Sequence, residues 1–255
     1  FDELGGRPTG LALECVNGIA QARGLGSSSA AIVAGVQLAR ALVTDGASRL
    51  DEAGALRVAA TIEGHPDNVA PCLLGGFTIA WTEQHRPERG GPERGGPVPG
   101  GARAVRLTPH AAVQPTVFVP EERGLTAVAR AALPATVPHA DAALNAGRAA
   151  LLVHALTVDP TLLLSATEDR LHQSYRAAGM PATAALVAAL RAAGVAAVVS
   201  GAGPTVLALT PVPEDFDPGM GWRAGMLPVD ASGALVEGGR LGHAERDPVA
   251  AGRKS

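Results

Sequence analysis

Lysine is almost absent from this sequence: Lys254, the penultimate residue, is the only lysine among 255 residues. A lysine side chain binds phosphate in Walker-A nucleotide sites, binds ATP in protein kinases and reacts with carbonyl groups in Schiff-base enzymes. These three kinds of site are therefore excluded. Any phosphate group that binds to this chain must be held by backbone amides, hydroxyl groups or arginine side chains.

Aromatic residues, positive charge and long hydrophobic runs are also scarce. Only 3% of the residues are aromatic, and the formal net charge is −3. Nucleic-acid binding needs a basic surface and, for single strands, aromatic side chains on which bases stack, so we expect no nucleic-acid partner. No apolar run approaches the roughly 20 residues of a membrane-spanning helix, and Phe1 does not begin a signal peptide. We therefore expect no membrane partner and a cytoplasmic location.

The two cysteines, Cys15 and Cys72, are far apart in the sequence, and each lies among apolar residues. We expect both to be buried free thiols rather than a disulfide or a metal-binding pair. The chain is 47% hydrophobic, which is enough for a sizeable core in one or two domains.

Hydrophobic periodicity and turn residues predict an α+β chain. Strands are predicted at 11–16, 77–81, 103–107, 113–119, 195–199 and 205–209. Helices are predicted at 30–43, 50–63, 126–133, 141–157 and 182–193. Residues 83–102 consist almost entirely of Gly, Pro, Arg and Glu, which predicts a flexible surface loop without a functional role.

The segment Arg23–Ala31 combines two glycines, three adjacent serines and the start of an alanine-rich helix. Glycine lets the backbone come close to a ligand, and a helix that begins at Ser29 or Ala30 would direct its free N–H groups at an anion. The serine hydroxyls can cap that helix, and one of them can also bind a metal ion. The segment therefore predicts a phosphate-binding loop.

Other interpretations of this loop remain open, including a merely capped helix after a glycine turn. A dinucleotide-binding G-x-G-x-x-G motif would need glycine at the position of Ser29. Gly26, Ser28 and Ala30 come close to the G-x-S-x-G of a nucleophile elbow, so a serine hydrolase that acts through Ser28 is an alternative. Against it, an elbow follows its strand at once, whereas residues 17–23 intervene here.

A second polar cluster, Glu63-Gly-His-Pro-Asp-Asn68, lies at the end of the predicted helix 50–63. A carboxylate suits Mg²⁺, whereas Asp, Asn and His side chains suit a substrate hydroxyl or amine. A helix-ending turn in which Asp67 and Asn68 bond to the local backbone is the alternative interpretation.

Two arginines form a third candidate feature. Thr126 and Arg130 lie on one face of a predicted helix, and Arg176 precedes another helix. A pair of arginines can bind a carboxylate bidentately, in a geometry that lysine cannot match. The alternative interpretation, favoured if no other motif links the two arginines to one site, is that both are solvated surface residues.

Together these motifs resemble those of the GHMP small-molecule kinases, and in particular of their homoserine kinase branch. The resemblance covers about residues 3 to 235. The matching segments are Gly24–Ala31, Glu63–Pro71 followed by Leu74–Phe77, Thr126–Pro134, Leu171–Arg176 and Ser200–Thr205.

This resemblance implies a two-domain α+β fold, with a ribosomal-S5-like N-terminal ATP-binding domain at residues 1–110 and a ferredoxin-like C-terminal domain at 111–255. It implies transfer of the γ-phosphoryl group of ATP to the side-chain hydroxyl of L-homoserine, which gives O-phospho-L-homoserine for threonine biosynthesis. Mg²⁺ is the implied metal, and a homodimer is compatible with the resemblance.

The resemblance also implies a role for individual residues. The residues that would hold the phosphates of ATP are Arg23, Gly24, Leu25, Gly26, Ser27, Ser28, Ser29 and Ala30. Ser28 and Glu63 would bind Mg²⁺. His65, Asp67, Asn68 and Thr126 would surround the amino and hydroxyl end of homoserine. Arg130 and Arg176 would bind its carboxylate.

Asp67 and Asn68 are the predicted catalytic residues, as groups that orient the hydroxyl rather than as a strong base. The glycine turn at Ser200–Thr205 would pack against the phosphate loop and the substrate.

Two departures from the family pattern matter. Ala20 stands where the family usually has a proline, which loosens the entry to the loop without removing a ligand. The family's first motif, which lines the substrate site, has no counterpart before Leu11, so we expect the chain to be truncated and its N-terminal domain to lack strands. Another GHMP kinase and a truncated, non-catalytic relative are therefore the alternative functions.

Overall fold

The computed structural model of the chain describes residues 1–84, 99–124 and 126–238. After a 3₁₀ turn at Asp2–Leu4, its first half contains α1 (Ser27–Leu42), α2 (Gly46–Arg49), α3 (Glu52–Glu63), α4 (Val69–Leu74), β1 (Phe77–Gln84) and β2 (Pro99–Leu107). Strands β1 and β2 pair antiparallel, with Phe77 opposite Leu107. Helices α1, α3 and α4 pack together, α3 and α4 also contact β2, and the buried aliphatic side chains of these elements form one core.

The second half contains β3 (Thr116–Pro120), α5 (Thr126–Ala131), α6 (His139–Thr157), α7 (Leu163–Ala166), α8 (Gln173–Arg176), α9 (Pro181–Ala192), β4 (Ala197–Val199), β5 (Val206–Ala208) and β6 (Trp222–Met226). Two further 3₁₀ turns lie at Pro160–Leu162 and Ala177–Gly179. The four strands form an antiparallel sheet in the order β4-β5-β3-β6. Helix α9 covers β4 and β5, and Leu190 and Phe118 are buried between them.

The sequence around α3 explains where this helix begins and ends. Asp51 caps its N-terminus, because its carboxylate accepts a hydrogen bond from the N–H of Gly54 at 2.7 Å. Gly64 ends the helix with a φ of 90°, a conformation that glycine adopts without strain. The chain then turns through Pro66 into α4, so the polar cluster lies between two buried helices.

The α+β fold predicted from the sequence is confirmed, and most predicted elements lie within a few residues of their observed bounds. The predicted strand at 11–16 is wrong. Leu11, Leu13 and Val16 are exposed and the segment pairs with no strand of the described chain. An alternating apolar pattern predicts a strand only where a partner strand completes its hydrogen bonds.

The predicted loop at 83–102 is wrong at both ends, because residues 83–84 extend β1 and residues 99–102 belong to β2. Cross-strand hydrogen bonds override the weak strand preference of these residues. Residues 85–98 lie outside the described part of the chain. The sequence also missed α4 and the edge strand β6, whose Trp-Arg-Ala-Gly-Met composition gives little strand signal.

Both thiols are free, but Cys15 is exposed and only Cys72 is partly buried, so the prediction of two buried thiols is wrong for Cys15. Burial raises the pKa of the Cys72 thiol. None of the helices in the described residues combines the length and apolar character needed to cross a membrane. The division into domains at residue 110 falls between β2 and β3 and stays a prediction.

Candidate active site

A cleft with a volume of about 870 Å³ lies between the helical N-terminal part and the second half of the chain. Its walls come from the loop before α1, the end of α3, helices α6 and α8, and the turn after β4. The cleft therefore contains most of the polar features that the sequence analysis singled out.

Helix α1 begins at this cleft. Gly26 is its N-cap residue, with a φ of 76°, and the serines make no capping hydrogen bond, so the predicted serine cap is wrong. The helix begins at Ser27, earlier than predicted, because the glycine backbone itself makes the turn. A Cβ atom at Gly26 would meet no other atom within 4 Å, so the space above this turn is open. The free N–H groups of the first helical turn border that space, which fits an anion.

The glycine turn after β4 packs directly on the loop before α1. A Cβ atom at Gly24 would lie 2.3 Å from the carbonyl oxygen of Ser200, so only glycine fits there. The Ser200 hydroxyl donates to the carbonyl oxygen of Gly24 at 2.8 Å, and the N–H of Thr205 donates to that of Arg23 at 3.2 Å. The structure thus contains the predicted packing of the glycine turn against the phosphate loop.

The side chain of Arg23 bonds to backbone carbonyl groups of the chain itself. Its guanidinium donates to the carbonyl oxygens of Pro120 at 2.8 Å, Glu121 at 2.6 Å and Gln21 at 3.1 Å. Through the bonds to Pro120 and Glu121, Arg23 anchors the loop to the end of β3. Its contact with the phosphates of ATP stays a prediction.

Glu63 lies beside two of the loop serines. The Ser29 hydroxyl, which is buried, donates to Oε1 of Glu63 at 2.9 Å, and the Ser28 hydroxyl donates to Oε2 at 3.4 Å. The third serine, Ser27, accepts a hydrogen bond from the amide of Asn17 at 3.1 Å. The structure therefore brings together the two predicted Mg²⁺ ligands, Ser28 and Glu63.

This donor set fits Mg²⁺ but not a metal held by protein ligands alone. The described residues contain no group of three or more His, Cys, Asp or Glu side chains that could hold a metal ion. Mg²⁺ in phosphoryl-transfer sites takes one or two protein oxygens and completes its shell with phosphate oxygens and water. A hydroxyl and a carboxylate at the N-terminus of a helix supply that partial set.

The segment after Glu63 places three polar side chains at the cleft. Nδ1 of His65 contacts Oδ1 of Asp67, whose side chain is 71% exposed. Asn68 occupies the N-cap position of α4 but makes no side-chain capping bond, so the alternative interpretation as a local cap is wrong for Asn68. The side chains of Asp67 and Asn68 are both exposed at the cleft wall, where a ligand can reach them.

Arg130 and Arg176 both line the cleft. Arg176 donates from Nε to the carbonyl oxygen of Ala129 at 3.0 Å and from Nη1 to that of Gly201 at 3.3 Å. Arg176 thereby joins α5 to the glycine turn, and Arg130 is the next residue of α5. Thr126 is the first residue of α5, and its side chain lies outside the described part of the chain.

Sequence reasoning missed a polar group on the α6 and α8 side of the cleft. Four polar residues line the cleft there: Asn145, Asp169, His172 and Gln173. Burial alone would raise the pKa of Asp169, but hydrogen bonds from the Gln173 N–H, Asn145 and His172 outweigh it and hold the pKa well below its usual range. An aspartate a few residues before a helix is a recognisable capping signal, and here it was overlooked.

Both halves of the chain resemble parts of one family of small-molecule kinases. The family model of the GHMP kinases N terminal domain matches residues 1–76, and that of the GHMP kinases C terminal region matches residues 142–217. The chain is 55% identical over 240 residues to the homoserine kinase of Streptomyces avermitilis, which covers 92% of this chain and 74% of that protein. The homoserine kinase of Streptomyces coelicolor is 54% identical over the same length, covering 92% and 73%.

A solved structure supports the same fold. The crystal structure of homoserine kinase from Cytophaga hutchinsonii superimposes with a TM-score of 0.67 and 24% sequence identity, covering 85% of this chain and 69% of that chain. The family expected from the loop, the polar cluster and the glycine turn is thus confirmed. The chain belongs to the GHMP kinases, and within them to the homoserine kinases.

Proposed function

We propose that this chain transfers the γ-phosphoryl group of ATP to the side-chain hydroxyl of L-homoserine. The observation that carries the proposal is the convergence of three separate features on one cleft. These are the open N-terminus of α1, the Ser28–Glu63 oxygen pair and the exposed Asp67–Asn68 segment. High identity to curated homoserine kinases supports the choice of acceptor.

In this proposal the loop Gly24–Ala30 binds the phosphates of ATP through backbone N–H groups. The open space at Gly26 supports this role, because a phosphate oxygen can approach the helix N-terminus there without meeting a side chain. Ser28 and Glu63 hold Mg²⁺, with Ser29 orienting the glutamate. When bound, Mg²⁺ neutralises negative charge that develops on the transferred group.

The acceptor is bound on the opposite side of the same cleft. Arg130 and Arg176 bind the homoserine carboxylate, since guanidinium groups pair bidentately with carboxylates. His65, Asp67 and Asn68 surround the amino and hydroxyl end, together with Thr126. These roles leave the homoserine hydroxyl between the exposed Asp67–Asn68 segment and the phosphate loop.

Catalysis in this proposal rests on positioning and charge rather than on a strong base. Phosphoryl transfer gains most from in-line placement of the hydroxyl and from a positive field around the transferred group. Asp67 and Asn68 orient the hydroxyl through hydrogen bonds, and the α1 N-terminus supplies a fixed positive end. Lysine is not needed for any of these roles, which agrees with a chain whose only lysine is Lys254.

The proposal extends to the setting of the reaction. The product, O-phospho-L-homoserine, would serve threonine biosynthesis in the cytoplasm, as the family resemblance implies. A homodimer stays a prediction.

The test is an ATP-dependent phosphorylation assay with L-homoserine, mevalonate and galactose as competing acceptors. We expect phosphate transfer to homoserine and Mg²⁺-dependent release of ADP. Preference for another acceptor would reassign the chain within the GHMP kinases. Covalent labelling of Ser28 by a fluorophosphonate would support the hydrolase alternative instead. A folded protein that binds ATP and phosphorylates none of the three acceptors would identify a non-catalytic relative.

A further inference from the structure

The carboxylate of Asp169 collects an unusual number of hydrogen bonds just before α8. Its Oδ2 accepts from the N–H of His172 at 3.0 Å and of Gln173 at 2.6 Å. Its Oδ1 accepts from the N–H of Leu171 at 3.1 Å and from the amide of Asn145 at 2.9 Å, and it lies 3.1 Å from Nδ1 of His172. The side chain is only 14% exposed, so these protein groups take the place of water around the charge.

We propose that Asp169 is a positioning residue of the acceptor site, which holds α8 so that Gln173 and Arg176 reach the glycine turn and the wall of the cleft. This inference depends on the proposed function only in taking L-homoserine as the acceptor. Asp169 lines the cleft but acts through the residues that follow it.

Helix α8 depends on this anchor because it is very short. It spans only Gln173–Arg176, and a helix of one turn is unstable without contacts outside itself. Its formal N-cap residue, His172, makes no side-chain capping bond. Asp169 supplies that missing function from outside the helix.

Asn145 fixes the anchor to α6. Its amide nitrogen donates to Asp169, while its carbonyl oxygen accepts from the N–H of Arg170 at 2.8 Å. Asn145 thus holds the Asp169 side chain and the backbone N–H of the next residue with one amide group. Asp169 and Asn145 therefore work as one clamp between α6 and the start of α8.

Two side chains of α8 bond to β4, to the glycine turn and to α5. Oε1 of Gln173 accepts from the N–H of Val199, the last residue of β4, at 2.9 Å. Arg176 donates to the carbonyl oxygens of Gly201 and Ala129. A loss of α8 geometry would move the guanidinium of Arg176 directly, whereas the phosphate loop keeps its own anchors on β3 and Ser200.

The test is the variant D169N, whose amide keeps one acceptor oxygen but loses the charge and the second acceptor. An ordinary helix cap tolerates this exchange, since Asn and Asp cap about equally well. We expect D169N to raise the KM for L-homoserine about tenfold and to change the KM for ATP by less than about twofold. The matched control is D159N, because Asp159 caps a turn in the same way, through the N–H and hydroxyl of Thr161, away from the cleft.

Asn145 supplies a second kinetic test. If Asp169 and Asn145 form one clamp, N145A raises the KM for homoserine, and the double variant D169N/N145A is no worse than D169N alone. Independent, additive effects of the two substitutions would overturn the clamp.

A readout that needs no substrate comes from Tyr175, the only tyrosine in the sequence, which lies within α8. Protein labelled with 3-fluorotyrosine gives a single ¹⁹F resonance that reports on this helix. We expect the resonance to shift or broaden in D169N and to stay unchanged in D159N. If wild-type protein phosphorylates no homoserine, the proposed function fails, but this resonance still decides whether Asp169 holds α8.

Two results would overturn the proposal. An unchanged resonance in D169N would mean that Asp169 does not hold α8, whatever happens to the KM. A shifted resonance with unchanged KM for homoserine, or with equal changes in both KM values, would make Asp169 a merely structural residue.

Discussion

Ser29 and Glu63 are joined by a hydrogen bond of 2.9 Å between the serine hydroxyl and Oε1 of the glutamate. This bond links the first turn of α1 to the last turn of α3. Ser29 is 1% exposed, so its hydroxyl has no competing water, whereas Ser28 lies at the other carboxylate oxygen. One serine therefore orients the carboxylate while its neighbour stands beside the oxygen proposed for Mg²⁺.

Removing the orienting hydroxyl should weaken Mg²⁺ binding without removing a ligand. We expect S29A to raise the Mg²⁺ concentration for half-maximal activity about tenfold, as is common when a group behind a metal ligand is lost. Titration of activity with MgCl₂ at saturating ATP measures this. S27A is the matched control, because Ser27 bonds to Asn17 rather than to Glu63. An unchanged Mg²⁺ requirement in S29A would argue against the Glu63 site.

The two loop glycines have the same φ of 76° but different surroundings, which makes them a matched pair. G24A and G26A both impose the left-handed backbone strain of about 1 kcal/mol. Only at Gly24 would the new Cβ atom meet backbone oxygen, that of Ser200 at 2.3 Å. We expect G24A to lower the free energy of unfolding by a further 1–3 kcal/mol or so. Urea denaturation measures the difference, and equal losses in the two variants would contradict the observed packing.

Asn68 should act on turnover rather than on nucleotide binding. Its side chain is exposed at the cleft and makes no capping bond to α4, so N68A removes a polar group without disturbing that helix. We expect kcat to fall about 100-fold or more, as for other groups that act mainly in the transition state, with a nearly unchanged Kd for ATP. Isothermal titration with a non-hydrolysable ATP analogue provides the second measurement. Unchanged turnover would remove Asn68 from the proposed catalytic residues.

The candidate ligand residues of the site can be predicted from short sequence segments, whereas the contacts that anchor them cannot. The glycines before α1 lie in one such segment and the Glu63–Asn68 cluster in another, and their residue types alone predict a phosphate and metal site. The anchoring bonds of Arg23 were missed because their acceptors, Pro120 and Glu121, are distant in sequence. Contacts of that separation come from tertiary packing, which a local pattern does not encode.

The same limit explains the missed clamp. Asp169 has a capping signal in its own neighbourhood, but its link to Asn145 depends on how α6 packs. The edge strand β6 likewise exists because β3 offers it a hydrogen-bonding partner, and its own residues have little strand preference. For residues 11–16 the opposite holds: their alternating pattern favours a strand, but no strand of the described chain pairs with them.

Asp169 should also make stability depend on pH at the acid end. Its pKa is held below the usual range in the folded protein, so above that range the carboxylate is ionised in both folded and unfolded chains and stabilises the fold fully. As the pH falls, the unfolded chain takes up the proton first, and this stability is lost toward the lower folded pKa. We expect urea midpoints between about pH 5 and pH 3 to fall less steeply in D169N than in wild type.

Asp159 and Glu168 also have lowered pKa values, through hydrogen bonds from Thr161 and Arg148 respectively, so part of the acid dependence will remain in D169N. The slope of the pH profile should still differ between D169N and wild type, because Asp159 and Glu168 are the same in both proteins and only the Asp169 carboxylate is lost. Parallel pH profiles of D169N and wild type would contradict the assignment of a depressed pKa to Asp169.

Arg130 offers the clearest test of how the acceptor is bound. Arg176 also bonds to two backbone carbonyl groups, so its removal would disturb the fold, whereas Arg130 is exposed and carries no such bond in the described contacts. If Arg130 pairs with the homoserine carboxylate, R130A should raise the KM for L-homoserine roughly 10- to 100-fold, the effect of losing a charge-assisted hydrogen bond.

The control substrate is 3-aminopropan-1-ol, a poorer substrate that lacks the carboxylate. Its KM should be nearly the same in R130A and wild type, because there is no carboxylate contact to lose. R130K should recover little, since an ammonium group cannot form the bidentate pair. Equal losses for both substrates would place the carboxylate elsewhere in the cleft.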